Sequence, residues 1–160
     1  MTKQKILEVL KIKKISLKNL FIIIISSFIV QPIAYVFSRL SELFVKNPTE
    51  ELIINLFNKS YYLIIISLAI LPAILEEIIM RGIVLFNQKN KKTTRACIVN
   101  SFLFAFMHFN LQQFLYIFIL GFLLCKLKNK TDTILAPIIS HFIFNFTQVT
   151  MAYIFFKINK

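Results

Sequence analysis

The chain has 160 residues, 58% of them hydrophobic, with 18 Phe, only two Gly and a formal net charge of +12. A mean hydropathy of +0.74 means more apolar surface than one small soluble domain can bury, so a bilayer must take the remainder. With glycine at 82 and 121 alone there is no phosphate-cradling loop, and nucleotide binding has no support.

In chain order, residues 1–18 are basic and lead into an apolar run at 20–37 that reaches Gln31-Pro32 without a small-residue cleavage site. This reads as an uncleaved membrane anchor. Its basic face, with Ile6 and Leu10 beside Lys13 and Lys14, reads as a solvated topology signal, contact with an anionic inner leaflet being the alternative. The polar stretch 38–60 contains Asn47-Pro48-Thr49-Glu50-Glu51, a helix start with Pro near its first turn and acids to match the dipole; an amphipathic surface helix is expected there. Further apolar segments lie at 61–86, 96–109, 111–127 and 133–156. They are unbroken rather than alternating, which indicates helices and not a membrane barrel. The expected fold is all-α, a polytopic transmembrane helix bundle of about five spans. Residues 1–60 supply the anchor, first span and surface loop, and 61–156 form the core. Spanning takes about 20 apolar residues, so the third and fourth segments are short and are expected to tilt little or to be shielded by neighbours.

Thirteen Lys and Arg fall in the N-terminal stretch, the second loop (Lys89, Lys91, Lys92, Arg95) and the fourth (Lys126, Lys128, Lys130). The alternate set holds five: Arg39, Lys46, Lys59, Lys157 and Lys160. The positive-inside rule therefore places the N-terminus in the cytoplasm and the C-terminus outside the cell membrane. Topology accounts for the basic charge, and no nucleic-acid partner is implied; the lipid bilayer is the partner. Cys97 and Cys125, 28 residues apart with no neighbouring Cys or His pair, carry no metal or redox motif. Near the cytoplasmic ends of their segments they are expected to stay reduced and to serve in packing.

Ionisable groups inside such segments need a reason, since each costs roughly 2.5–3.5 kcal/mol at the bilayer centre. Glu77 and Arg81 are four residues apart, share a helical face and can pair; Glu76, about 100° around the helix, has no such partner. His108 lies on the third segment, on the face of Phe104. On the fifth, His141 shares a face with Asn145. A rise of about 1.5 Å per residue brings Glu76, His108 and His141 to one layer, roughly 12–18 Å from the inner edge. One cavity lined by these residues and Asn145, open toward the cytoplasm, is expected. Pro72 and Pro137, each four residues before a key side chain, are expected to kink their helices and open a cleft.

The elements Glu76-Glu77-Ile78-Ile79-Met80-Arg81, Phe104-Ala105-Phe106-Met107-His108 and His141-Phe142-Ile143-Phe144-Asn145 resemble, in order, the EExxxR, FxxxH and HxxxN motifs of the CPBP family. That family comprises the CAAX prenyl endopeptidases and the bacterial Abi proteins linked to bacteriocin self-immunity. The resemblance covers roughly residues 62–153. It implies an intramembrane endopeptidase acting on a membrane-associated peptide or protein. Catalytic roles fall to Glu76 as general base on a water also held by His108, and to His141 and Asn145 as donors to the oxyanion, with Glu77 and Arg81 in support. No cofactor is favoured. The alternative is zinc held by Glu76, His108 and His141 with water in the fourth position. Two other readings use the same residues without proteolysis: a non-catalytic immunity or scaffold protein with a polar packing core, and a proton or ion relay. A relay needs polar groups continuing to both faces, and the outer half offers mainly Ser67, Asn110, Gln112 and Gln148.

Overall fold

A computed structural model describes residues 10–46, 50–58, 60–88 and 92–159. Lys3, Lys5, Ile6, Asn47, Pro48, Thr49, Lys59, Lys89, Lys91 and Lys160, used above, lie outside them. The described residues form helices and connections: α1 (Leu17–Glu42), α2 (Glu50–Phe57), α3 (Tyr61–Asn87), α4 (Thr94–Phe106), α5 (Leu111–Thr131) and α6 (Leu135–Ile158). The chain is an all-α bundle. Four helices, α1, α3, α5 and α6, are long and apolar enough to cross a membrane, so the expected five becomes four and a shorter one. The exception, α4, has 13 residues and reaches about 20 Å, short of the roughly 30 Å hydrocarbon core.

The boundaries follow local chemistry. The side chains of Ser16, Thr93 and Asn110 accept N–H groups from Asn19, Ala96 and Gln112 at the starts of α1, α4 and α5. At the other end of α5, Lys128 and Lys130 sit in the last turn, where basic side chains suit the helix dipole, and Asp132 closes the helix in a left-handed conformation at φ 53°. The helix thus runs four residues past the expected 127, absorbing lysines read as loop. Pro137 sits in the first turn of α6, which begins at Leu135. No intrahelical N–H is required there, so the expected kink has no cause.

α4 and α5 pack as an antiparallel hairpin, and a disulfide joins Cys97 to Cys125 across it, their Cα atoms 5.5 Å apart. The reduced, separate thiols expected from the sequence are corrected: antiparallel pairing brings positions 28 apart to the same level. Gly121 makes the close approach possible, since a Cβ there would meet Phe104 Cδ1 at 3.0 Å and Ser101 Cα at 3.3 Å. Elsewhere polar pairs staple the bundle: Ser27 to Ser140 (2.8 Å) between α1 and α6, Gln112 to Ser38 (2.8 Å) between α5 and α1, and Tyr61 to Thr150 (2.8 Å) between α3 and α6. Phe57 of α2 packs against Tyr153 and Phe156 of α6.

At the basic end, the segment before α1 is latched under the α5–α6 turn. Thr133 Oγ1 exchanges hydrogen bonds with the Lys13 backbone, and Asp132 takes the ammonium groups of Lys11 (3.0 Å) and Lys13 (2.6 Å). Those hydrogen bonds, from Lys13 first and then Lys11, hold the Asp132 carboxyl well below the usual carboxylate range.

Candidate active site

Glu76 and Glu77 end a short α-helical stretch, Leu71–Glu77, set between two π-helical turns, Ile66–Ile70 and Ile78–Val84. Pro72 at its start has no N–H to give, and a widened turn precedes it. Asn100 of α4 donates to the Met80 carbonyl (2.8 Å) inside the second widened turn.

The two carboxylates then part. Glu77 is fully buried and its Oε1 accepts from Arg81 Nη1 (2.8 Å) and His141 Nδ1 (3.0 Å). Arg81 donates its other terminal nitrogen to the Gly121 carbonyl (2.8 Å), and its guanidinium lies 4.4 Å from the centroid of the Phe104 ring. Phe104 presents its ring edge-on to His108 and His141. Glu76 side-chain exposure is 32%, against 0% for Glu77. Its Oε2 stands 3.7 Å from His108 Nε2 and 3.9 Å from His141 Nε2 and makes no hydrogen bond to another described residue.

His108 lies one turn beyond α4, not within the expected helical segment. Phe109 at φ 48° turns the chain, and His108 Nδ1 caps the helix end on the Phe104 carbonyl at 2.8 Å. Each histidine thus aims Nδ1 at an oxygen acceptor and must carry its proton there. Nε2 of each ring then faces Glu76. The carboxylate oxygen and the two ring nitrogens converge on one place, which a proton or a small molecule such as water can bridge.

The set matches zinc in kind: two imidazoles, each with Nδ1 hydrogen-bonded, and a carboxylate. Its spacing does not match, because bonds of about 2.0–2.1 Å in a tetrahedron put donors about 3.3 Å apart. No group of three or more His, Cys, Asp or Glu among the described residues is placed to hold a metal ion.

Glu76, Phe104, His108, His141 and Asn145 line one cavity of about 560 Å³. All four residues expected to act are therefore together. The lining continues through Gln113 and Gln148 to Ser38, Glu42, Ile53 and Phe57, toward the end remote from the basic segment. The expected opening toward the cytoplasm and the expected cytoplasmic N-terminus therefore do not fit this lining together. Helical rise set the layer of these residues, but not where the helices separate. Sequence reading also passed over Tyr116 and Gln113, which line the cavity from α5, and Tyr35 and Ser38 of α1. Their one signal was a spacing of three that puts Gln113 and Tyr116 on one face of α5, and Tyr35 and Ser38 on one face of α1.

Four long apolar helices and an internal cluster of ionisable groups define a multi-pass helical membrane protein. Residues 58–147 match the family of type II CAAX prenyl endopeptidases described as Rce1-like. The chain belongs to that family of endopeptidases, and the match spans the α3, α4 and α6 residues that form the cluster. No curated protein and no solved structure matches the chain.

Proposed function

We propose that this chain is an intramembrane endopeptidase that cleaves membrane-associated peptides or proteins with a water activated by Glu76. The observation that carries the reading is the convergence of Glu76 Oε2 and two histidine Nε2 atoms, 3.7 and 3.9 Å away, on one place in the cavity. A water there gives one hydrogen to Glu76 and the other to an imidazole, leaving its lone pair for the scissile carbonyl carbon. Glu76 takes the proton as the C–O bond forms and returns it to the leaving nitrogen as the C–N bond breaks. Glu77 holds the His141 tautomer, so His141 helps to place the water, and the oxyanion falls to the Asn145 carboxamide. Arg81 pairs with Glu77 and holds it in place, and the Phe104 ring fixes both imidazoles in edge contact.

The test uses the full chain in nanodiscs with a mixed peptide library, cleavage being read by mass spectrometry for the wild type, Glu76→Gln and the wild type with chelator. Cleavage that Glu76→Gln abolishes and chelator spares is expected. Equal cleavage by Glu76→Gln overturns the base. Loss with chelator and recovery with zinc would make the same three residues a metal site.

A further inference from the structure

We infer that the Tyr116 hydroxyl is a second donor to the oxyanion, acting beside Asn145 on the carbonyl that the Glu76 water attacks. The inference rests on the endopeptidase reading and adds a catalytic residue to it.

The groups that hold the water cannot also meet the oxyanion. Attack comes across the plane of the peptide, from the side of Glu76 and the two imidazoles, while charge grows on the carbonyl oxygen, which needs donors of its own. Asn145 supplies one carboxamide. Most other polar residues of the wall are committed elsewhere: Gln112 donates to Ser38, Gln148 donates to Gln31, and Glu42 accepts from Arg39. Tyr35 is 65% exposed, and Gln113 stands about 4.5 Å further along α5 than Tyr116, toward the tip of the α4–α5 hairpin.

Tyr116 is neither committed nor loose. A tyrosine hydroxyl inside a protein usually has a hydrogen-bond partner; this one has none among the described residues and lines the cavity. Its ring packs against the buried cluster that contains Met80, Phe104 and Ile117 and against the one that contains Ala34, Leu120 and Phe144. Phe104 is the ring in edge contact with both histidines, and Phe144 directly precedes Asn145 on α6. The register that joins Cys97 to Cys125 sets Phe104 opposite Phe118, so Tyr116 lies about 3 Å beyond Phe104, on the side of His108. A phenol is neutral, donates one O–H and keeps its proton at physiological pH. Held by both clusters, it has little orientation to lose when a carbonyl arrives, the condition for a donor that is worth more in the transition state than in the ground state. No proton leaves it: its hydrogen bond tightens as the oxygen gains charge and relaxes as the C–N bond breaks.

Tyr116→Phe keeps the ring and removes only the hydroxyl, so the variant should melt as the wild type does. Both are assayed as full chains in nanodiscs on the peptide of a mixed library that the wild type cuts fastest. The variant is expected to lose about 10²-fold in kcat, the usual worth of one oxyanion donor, with KM unchanged. The second probe is the same peptide ended at the cut as a trifluoromethyl ketone, whose hydrate places a tetrahedral oxygen where the oxyanion forms. Its inhibition constant should rise in Tyr116→Phe in proportion to the fall in kcat/KM, a link that a packing role would not produce. Unchanged kcat in folded Tyr116→Phe overturns the inference, as does a fall in kcat with unchanged inhibition by the ketone. If Glu76→Gln still abolishes cleavage in those cases, the endopeptidase reading stands without Tyr116. A wild type with no Glu76-dependent cleavage removes that reading and the role of Tyr116 with it.

Discussion

At the basic end of the bundle, α3, α4 and α5 close on one another through Leu85, Ala96 and the Cys97–Cys125 disulfide. Toward the other end the same three helices part around the cavity, with Leu68, Pro72 and Glu76 on one side and His108, Gln113 and Tyr116 on another. Glu77 and Glu76 fall on either side of this division. One is enclosed among Arg81, His141 and Phe104, and the other is partly open beside two imidazole Nε2 atoms. Adjacent carboxylates on one helix thereby sit in different surroundings, and the proposed mechanism divides the work accordingly: the sealed half orients His141, and the open half carries the base. A one-residue shift of α3 would move one carboxylate into the other's place and bring Leu75 or Ile78 into the place left empty, which gives the π-helical turns flanking Leu71–Glu77 a positional meaning.

The largest expected effects come from the open half. Glu76→Gln should lower kcat by about 10²–10⁴-fold, the usual worth of a positioned acid–base group, and His108→Ala should do likewise. The melting temperature of Glu76→Gln should stay near that of the wild type, since the Glu76 side chain hydrogen-bonds to no other described residue, whereas His108→Ala also loses its bond to the Phe104 carbonyl. A large loss of stability in Glu76→Gln would mean the two halves are not separate.

Next comes the sealed half. Arg81→Leu leaves Glu77 as an unpaired buried carboxylate, and Glu77→Gln leaves a buried guanidinium short of its counter-ion; each should cost about 3–5 kcal/mol and show as lost monodisperse yield. Joining Glu77→Gln with Arg81→Leu removes both charges and should recover much of the yield, though His141 then lacks its anchor and activity stays low. Additive losses in the double variant would show that the pair is not coupled.

A smaller effect is expected where α4 and α5 meet. Gly121→Ala places a methyl 3.0 Å from Phe104 Cδ1 and 3.3 Å from the Ser101 backbone, and overpacking of this kind costs about 1–3 kcal/mol. The displaced ring is the one that contacts both histidines, so activity should fall further than stability alone dictates. A wild-type melting temperature and rate together would show that the hairpin has slack.

How much of this was legible can be seen in individual residues. The pairing of Glu77 with Arg81 followed from their spacing of four, and the shared layer of Glu76, His108 and His141 from helical rise, because both are properties of one helix at a time. His108 was placed inside a helix because its apolar neighbours continue to Phe109, while a left-handed turn at that Phe, which sequence pattern does not mark, ends it earlier. The contact of His141 with Glu77, the meeting of Cys97 with Cys125 and the place of Tyr116 depend on how helices rotate against one another. Hydropathy in a membrane protein leaves that unspecified, because the lipid-facing side is as apolar as the packed side.

The smallest expected effect lies in the latch at the basic end, away from the chemistry. Asp132 is held ionised by Lys13 and Lys11, its folded pKa lying below the unfolded value of about 3.9. A depressed carboxylate contributes stability that is present in full above the unfolded pKa and is lost as pH falls through the folded one. With a third of the side chain exposed, solvent screening limits the contribution to about 0.2–1 kcal/mol. Asp132→Asn keeps a residue that tolerates the left-handed conformation, so it removes the charge alone. Melting of the two proteins should differ by a few degrees at pH 6–7, and the gap should start to narrow as pH falls below the unfolded value of about 3.9 and close only on passing the much lower folded one, where the wild-type carboxyl takes its proton. In high salt it should narrow at neutral pH as well. A gap that persists unchanged at low pH would show that Asp132 acts through its hydrogen-bond geometry rather than its charge.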